Sequence, residues 1–262
     1  MELGLRDKAC VVTGASRGIG LATARLLAAE GASVLLVARS EDELRDAAEE
    51  CGERACTLAL DVTAPEAACR IVEACEEGFG KVDALVNNAG TTRMRPMDEL
   101  TDAEWQEQWE LHVMAPMRLM RECAPRMEAR GGGRIVNVCS SSGKRPSQNN
   151  VAYSVTKAAQ LSLSRAWADA WAGRGVLVNA IAPGPIDTGM WLDDGGLADQ
   201  VAAARGVTRE QALEAARAKI PLGRFGGEDE VAAVIAFLCS ERASNVVGAA
   251  WSVDGGAVPT IL

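Results

Sequence analysis

The sequence predicts an α/β fold, in which a doubly wound parallel sheet of seven strands forms a single domain spanning residues 1–262. Three observations predict it. Short apolar runs alternate with stretches of helical periodicity, as in parallel sheets that helices cover on both faces. A glycine-rich turn separates the first apolar run from the first helical stretch. No linker or low-complexity stretch divides the chain, so we expect no domain boundary.

The first predicted strand, 9–13, ends at the glycine-rich turn. A helix at 21–30 follows and is closed by Gly31, a common helix terminator. The second strand, 33–38, leads into a polar helix at 41–50. The alternation continues through strands at 55–60, 84–87, 134–139, 176–182 and 250–253, with helices from residue 65 and at 102–129, 151–171 and 228–239.

Composition narrows the class of protein. The chain is 48% hydrophobic and 24% charged, which suits a folded domain with a sizeable core. A formal net charge of -9 argues against nucleic-acid binding. No apolar run approaches the roughly eighteen residues of a membrane span, and residues 1–6 lack the apolar segment of a secretory signal. We therefore expect a cytoplasmic protein with no nucleic-acid and no membrane partner.

The eight cysteines lack the paired spacing of zinc sites, and the chain has a single histidine. We expect no metal site, and reduced thiols that act as small buried hydrophobic side chains.

The glycine-rich turn, Thr13-Gly14-x-x-x-Gly18-x-Gly20, lies between a predicted strand and a predicted helix. Its glycines permit a tight turn and a close approach of the backbone to a ligand. The helix N-terminus supplies free N–H groups and the positive end of a dipole. This context predicts a site for the pyrophosphate of a dinucleotide, although a tight turn without a ligand would need similar glycines.

The residues after the second strand favour NADP(H) over NAD(H). Enzymes selective for NAD usually place Asp or Glu there to bind the ribose 2′-hydroxyl. This chain has Ala38 followed by Arg39, and Arg17 lies in the glycine-rich turn. Two guanidinium groups suit a 2′-phosphate, unless both are ordinary solvated charges. After the third strand, Asp61 either accepts from the adenine amino group or caps the next helix.

Tyr153 and Lys157 are four residues apart in the predicted helix 151–171, so their side chains share one face. A phenol with a pKa of about 10 exchanges protons poorly at neutral pH. An ammonium group on the same face lowers that pKa, which suits general acid/base chemistry. The pair is also common on solvated helices, so its meaning depends on the surrounding motifs.

In the order and spacing of its motifs, the sequence resembles the short-chain dehydrogenase/reductase family over nearly its whole length. The motifs are Thr13-Gly14-x-x-x-Gly18-x-Gly20, Asn87-Asn88-Ala89-Gly90, Ser140, Tyr153-x-x-x-Lys157 and Pro183-Gly184-Pro185-Ile186-Asp187-Thr188. The resemblance implies a Rossmann-type domain that transfers a hydride between a nicotinamide cofactor and a substrate.

The resemblance also implies roles for individual residues. Ser140 would orient the substrate carbonyl, and Tyr153 would donate or accept the proton. Lys157 would bind the nicotinamide ribose and lower the pKa of the tyrosine. The predicted cofactor-binding residues are Gly14, Ser16, Arg17, Gly18, Ile19, Gly20, Arg39, Asp61, Val62, Asn88, Ala89, Gly90, Tyr153, Lys157, Pro183, Gly184, Ile186 and Thr188.

His112 departs from the family, which normally has asparagine at this position. The resemblance implies that the main-chain carbonyl at this position holds a water that links the lysine to solvent. We include His112 among the catalytic residues, with packing in the helix core as the alternative. An unperturbed imidazole titrates near pH 6.5, so we expect an acidic limb in the pH profile that His112→Asn removes.

Residues 187–221 form a predicted substrate lid, because glycines and the apolar run Met190, Trp191 and Leu192 follow the last family motif. Arg93 and Arg95 either edge the same pocket or are solvated.

Apolar residues on more than one face of the helices at 102–129 and 151–171 predict a partner, and the family resemblance implies a homotetramer. Those residues are Trp109, Met114, Met117, Met120, Trp167 and Trp171.

The sequence thus predicts an NADP(H)-dependent oxidoreductase that interconverts a ketone and a secondary alcohol on a small or medium organic substrate. Two alternatives stay open at this point. One is a 3-oxoacyl-(acyl carrier protein) reductase, and the other is a scaffold or sensor that binds NADP(H) without turnover.

Overall fold

The computed structural model describes residues 2–92 and 94–259, and within these ranges a sheet of seven parallel strands organises the fold. The strands are β1 (Ala9–Thr13), β2 (Ser33–Ala38), β3 (Ala55–Ala59), β4 (Ala84–Asn87), β5 (Gly133–Val138), β6 (Val176–Pro183) and β7 (Ala250–Val253). Their order across the sheet is β3-β2-β1-β4-β5-β6-β7. The predicted doubly wound, Rossmann-type α/β class is therefore confirmed.

Helices follow the strands along the described chain. They are α1 (Gly18–Ala29), α2 (Glu41–Cys51), α3 (Ala67–Phe79), α4 (Asp102–Trp109), α5 (Ala115–Glu128), α6 (Ser141–Lys144), α7 (Val151–Trp171), α8 (Gly189–Leu192), α9 (Leu197–Arg205), α10 (Arg209–Arg217) and α11 (Glu228–Cys239). Residues of α1, α2 and α11 pack with one face of the sheet, and residues of α3, α5 and α7 pack with the other. Because both faces are covered, the central strands are apolar throughout.

The two edge strands depart from that pattern. In β3 the side chains of Cys56 and Thr57 are exposed, and in β7 Trp251 is exposed. Cys69 on α3 is exposed as well, so the prediction that the cysteines are buried is wrong for these two thiols. The other six are buried or half-buried, and all eight are free.

The predicted helix at 102–129 is interrupted. A stretch of π-helix, Glu110–Met114, separates α4 from α5 and contains His112. Pro116, at the start of α5, explains the position of the break. Proline has no N–H, so it cannot donate to the carbonyl four residues earlier, which belongs to His112.

Residues 187–221 fold into the three short helices α8, α9 and α10. Among the residues that the structure describes, no helix is both long and apolar enough to cross a membrane. In the same ranges, no group of three or more His, Cys, Asp and Glu side chains is arranged to hold a metal ion.

The order of the strands fixes where a site can form. The connections from β1 and from β4 leave the sheet in opposite directions, and these two strands are neighbours. In open α/β sheets, ligands bind in the crevice at the carboxyl ends of such a pair. The glycine-rich turn follows β1 and Asn88-Ala89-Gly90 follows β4, so both predicted motifs lie at this crevice.

Candidate active site

The glycine-rich turn leaves the N-terminus of α1 free for an anion. Arg17, at the N-cap position, makes no side-chain capping hydrogen bond, so the first N–H groups of this helix have no cap. Gly14 and Gly18 have φ angles of 62° and 61°, which disfavour other residues. A Cβ at Gly20 would lie 2.1 Å from the carbonyl oxygen of Gly14. The turn therefore fits a phosphate group, as the sequence predicted.

Asn88 and Thr13 join this turn to the end of β4. The amide of Asn88 donates to the carbonyls of Thr13 and Gly14 at 2.9 and 3.0 Å. The hydroxyl of Thr13 accepts from the backbone N–H groups of Asn88 and Ala89, each at 3.0 Å. A Cβ at Gly14 would lie 2.9 Å from the Cα of Ala89. The glycine-rich turn and the segment after β4 are thus joined by hydrogen bonds and close backbone packing.

Two arginines predict a 2′-phosphate site at the edge of the crevice. Arg17 lies in the glycine-rich turn, and Arg39 follows β2. Arg17 and Arg39 are exposed, and Arg17 pairs with Asp193 of the predicted lid at 3.2 Å between Nη1 and Oδ2. Ser16 donates its hydroxyl proton to Oε2 of Glu43 at 2.9 Å. Sequence reasoning missed Glu43, which no family motif includes.

Asp61 and Val62 follow β3. Oδ1 of Asp61 accepts from the backbone and the hydroxyl of Thr63 at 2.9 and 2.7 Å. Burial raises the pKa of Asp61, but the hydrogen bonds from Thr63 and the charge of Arg39 outweigh it, so the pKa is lowered. Because α3 begins only at Ala67, Asp61 does not cap that helix. Val62 is buried.

The last predicted cofactor motif follows β6. Pro183 ends that strand, and a Cβ at Gly184 would lie 2.8 Å from the Cα of Asp254. Ile186 is buried, and a Cβ at Gly18 would lie 3.7 Å from Cγ2 of Thr188. The fold therefore places Thr188 beside the glycine-rich turn, as a shared cofactor site requires. Ile19 packs against the core on the side of α1.

Ser140 caps α6 directly after β5, and its Oγ accepts from the N–H of Ser142 at 3.1 Å. It is buried, whereas Ser141 and Ser142 are half-exposed. A Cβ at Gly143 would lie 2.8 Å from the backbone carbon of Lys157, so only glycine lets α6 pack this closely on α7. Gly143 thereby holds Ser140 against the helix of Tyr153.

Tyr153 and Lys157 share a face of α7, as predicted, but their protonation differs from the prediction. Burial raises the pKa of Tyr153, and the hydroxyl of Ser140 acts in the opposite direction. Nζ of Lys157 lies 5.7 Å from the ring centroid, yet the pKa of the phenol is raised overall. The expected lowering of the Tyr153 pKa is therefore not present in this structure.

Lys157 is held by two acceptors. Its Nζ donates to the carbonyl of Val138 and to Oε1 of Gln160, both at 2.9 Å. Burial lowers the pKa of Lys157 to about 8. Sequence reasoning missed Gln160, although its position three residues after Lys157 puts both on the same face of the helix.

His112 is fully buried and joins α7 through Thr156. Its Nδ1 lies 3.0 Å from Oγ1 of Thr156, and that hydroxyl donates to the carbonyl of Tyr153 at 3.0 Å. Which of these two atoms donates in the contact between Nδ1 and Oγ1 depends on the imidazole tautomer. The imidazole also meets the ring of Tyr153 edge to face, with centroids 5.3 Å apart at 85°.

Nε2 of His112 faces a narrow space beside Gly90. This nitrogen is buried without a hydrogen-bond partner among the described residues. A Cβ at Gly90 would lie 3.3 Å from it and 3.6 Å from Nζ of Lys157. Burial and the charge of Lys157 lower the pKa of His112 well below 6.5, with a smaller opposing effect from the backbone of Thr91. The expected titration near neutrality is therefore wrong, because the imidazole stays neutral.

A cavity of about 310 Å³ opens beside Tyr153. Its other lining residues come from the loop after β4, from α4, from the start of α7 and from the predicted lid: Thr91, Thr92, Arg95, Leu100, Glu104, Glu107, Gln108, Asn150, Val151, Ala152, Gly195 and Gln200. Arg95 pairs with Glu104 at 3.0 Å, so it edges the pocket. Arg93 lies outside the described residues.

Comparison with known proteins identifies the family. The family model described as enoyl-(acyl carrier protein) reductase matches residues 14–258. The chain is 38% identical to a cis-4-hydroxycyclohexanecarboxylate dehydrogenase of Sinomonas cyclohexanicum over 95% of its own length and 96% of the relative's. It is also 35% identical to a 3-oxoacyl-(acyl carrier protein) reductase of Vibrio cholerae over 97% and 98% of the two chains.

The chain belongs to the short-chain dehydrogenase/reductase family.

A solved structure agrees with this assignment. L-sorbose reductase from Gluconobacter frateurii, complexed with NADPH and L-sorbose, is 40% identical over the whole of both chains, with a TM-score of 0.93. The predicted family and oxidoreductase class are confirmed. The predicted cofactor, NADP(H), agrees with this short-chain dehydrogenase/reductase neighbour.

Proposed function

We propose that the chain interconverts a polyhydroxylated ketone and its secondary alcohol with NADP(H), using Ser140, Tyr153 and Lys157. The observation that carries the proposal is the position of Tyr153, which lines a polar cavity while Ser140 lies beside it. Support for the cofactor comes from the uncapped N-terminus of α1 beside two exposed arginines.

The cofactor, Ser140 and Tyr153 have separate roles in reduction of the substrate carbonyl. When bound, the cofactor supplies or takes up the hydride. The hydroxyls of Ser140 and Tyr153 donate hydrogen bonds to the substrate oxygen, where negative charge develops during reduction. Tyr153 then delivers its proton to that oxygen. The raised pKa keeps the phenol protonated at neutral pH, as this donor role needs.

Lys157 and His112 support the tyrosine. The bonds from Lys157 to Val138 and Gln160 fix its ammonium group in a buried position on the same helix face. Nε2 of the neutral His112 faces the space beside Gly90, near Nζ of Lys157, where it can form a hydrogen bond with a group that links Lys157 to solvent. We propose that His112 replaces the family's asparagine in this supporting role.

The cavity favours a neutral substrate that is rich in hydroxyl groups. Glu107, Gln108 and Asn150 line it, and their side-chain oxygen atoms can accept hydrogen bonds from hydroxyls. Hydrogen bonds from Thr101 and the charge of Arg95 lower the pKa of Glu104, so this carboxylate is ionised. Among the described charged residues that line the cavity, the carboxylates of Glu104 and Glu107 outnumber the guanidinium of Arg95, which disfavours an anionic substrate relative to a neutral, sugar-sized ketose.

A coupled assay that follows NADPH absorbance tests the proposal. The panel should contain ketoses including L-sorbose, a ketone of the cyclohexane carboxylate class and a 3-oxoacyl thioester. We expect turnover to be fastest with a ketose. The 35% identity to a 3-oxoacyl-(acyl carrier protein) reductase makes that activity the second candidate, and faster turnover of the thioester would favour it. Binding of NADPH without turnover of any substrate would favour a scaffold or sensor.

We also propose a homotetramer in the cytoplasm, with residues 187–221 as the substrate lid of a single domain. Trp109 on α4 and Val155 on α7 are exposed, 39% and 43%, and neighbouring helices leave them uncovered. Met120, in contrast, is fully buried and gives no support. Light scattering tests the assembly, and a monomer mass would contradict it.

A contact beside the cavity supports the proposed lid. Oε1 of Gln200, which lines the cavity, accepts from the backbone N–H of Met94 at 2.9 Å.

A further inference from the structure

Glu43 forms a hydrogen bond with the hydroxyl of Ser16, a polar group that the cofactor would use. Its Oε2 accepts the hydroxyl proton of Ser16 at 2.9 Å. Ser16 lies in the glycine-rich turn beside Arg17, and Glu43 lies in the first turn of α2. This carboxylate therefore lies at the edge of the crevice where the arginines predict a 2′-phosphate.

Backbone contacts fix the two side chains near each other. The N–H of Ala15 donates to the carbonyl of Val37 at 3.2 Å, which ties the glycine-rich turn to the end of β2. The hydroxyl of Ser40 accepts from the N–H of Glu43 at 3.3 Å and caps α2. Glu43 is thus held directly beyond Arg39 and Ser40, the loop that follows β2. Its position follows from the fold and does not depend on a flexible loop.

The chemistry of Ser16 sets up a competition. Its hydroxyl has one proton, which it can donate either to Glu43 or to a phosphate oxygen, but not to both. A 2′-phosphate bound at Ser16 would also lie close to a like charge, which disfavours it. A ribose 2′-hydroxyl carries no charge, so Glu43 does not repel it.

We propose that Glu43 is a specificity-determining residue that weakens the binding of NADP(H) and leaves NAD(H) binding intact. Arg39 and Arg17 attract the 2′-phosphate, and Glu43 opposes them at Ser16. The chain therefore prefers NADP(H) by a smaller factor than its two arginines alone would give. The inference rests on the proposed use of a nicotinamide dinucleotide at this crevice.

Titration of both reduced cofactors by protein fluorescence tests the proposal in wild type and Glu43→Gln. The variant keeps the length and polarity of the side chain but removes its charge. We expect NADPH to bind roughly fivefold more tightly, and NADH to change less than twofold. The difference should shrink at high ionic strength, because both side chains are near the surface. Glu41→Gln is the matched control: it removes the same charge from the same turn, and Glu41 makes no side-chain hydrogen bond with the described residues.

A second background separates competition at Ser16 from a general charge effect. In a Ser16→Ala protein, the gain from Glu43→Gln should be smaller, because there is no hydroxyl proton to release. An equal gain in both backgrounds, an equal gain for NADH, or a gain as large in Glu41→Gln would overturn the inference. If the wild-type protein bound neither cofactor, the proposed function itself would fail, so the two failures are distinguishable.

Discussion

Nδ1 of His112 lies 3.0 Å from Oγ1 of Thr156, and this hydrogen bond connects the π-helical segment to the helix that carries Tyr153 and Lys157. The same threonine hydroxyl donates to the carbonyl of Tyr153. Thr156 therefore fixes the orientation of the imidazole ring against α7. The sequence motifs assign Thr156 no role, because a threonine within a helix usually has no function beyond packing.

Thr156→Val keeps the shape of the side chain and removes the hydroxyl. We expect kcat to fall roughly tenfold, because the buried Nδ1 loses its hydrogen-bond partner and the imidazole is free to turn. NADPH binding should change little. Thr156→Ser keeps the hydroxyl and is the matched control. Wild-type kcat in Thr156→Val would show that the link to His112 does not position the site.

The low pKa of His112 gives a prediction opposite to the one from sequence. Because burial and the charge of Lys157 lower its pKa well below 6.5, the imidazole does not take up a proton near pH 6.5. The kcat profiles of wild type and His112→Asn should therefore have the same shape as the pH passes through 6.5. An acidic limb near pH 6.5 that His112→Asn abolishes would show that the histidine titrates after all.

Lys157 should produce an alkaline limb. Its pKa is lowered to about 8, so the ammonium form is present below that pH and is lost as the pH rises through it. We expect ketone reduction to decline with an apparent pKa near 8. Measurement of kcat/KM from about pH 6 to 10 tests this expectation. A profile that stays flat to the alkaline end would contradict the assignment of Lys157.

Tyr153→Phe should lose at least about a hundredfold in turnover, because the proton donor is removed. Cofactor affinity should survive, since the glycine-rich turn and the arginines are untouched. Ser140→Ala should also lose turnover, whereas Ser141→Ala should retain it, because Ser141 is half-exposed. Fluorescence titration and the absorbance assay measure the two properties separately. Turnover equal to wild type in Tyr153→Phe would exclude this residue as the acid.

Arg39→Ala should weaken NADPH binding by about ten- to a hundredfold and leave NADH binding unchanged. Arg45→Ala is the matched control, because Arg45 is exposed on α2 and pairs with Asp42. Both titrations use protein fluorescence. A similar loss for the two cofactors in Arg39→Ala would mean that Arg39 does not contact the 2′-phosphate.

The sequence was sufficient for the features that depend on local patterns. Apolar runs and Gly14, Gly18 and Gly20 marked the strands and the turn, because burial on both faces and tight backbone approach each restrict residue type. The break at His112 was missed, although Pro116 is a visible signal for it. Helical periodicity alone runs through a π-helical stretch without a gap.

Features that depend on long-range contacts could not be predicted. The contact between Ser16 and Glu43 joins residues 27 positions apart and follows no spacing rule. The neutral state of His112 depends on burial against α7 and on the charge of Lys157, neither of which a motif records. Protonation is set by the environment of a group, and that environment exists only after folding.

Tyr153 is the only tyrosine in the chain and His112 the only histidine, and the structure places these two rings edge to face. A 13C label at one ring carbon of either amino acid therefore gives a single resonance, with no assignment needed. The ionisation of the acid and of its neighbour can be followed in the intact protein while cofactor or substrate is added. A reagent that modifies tyrosine likewise has a single target, so its rate reports directly on access to the cavity.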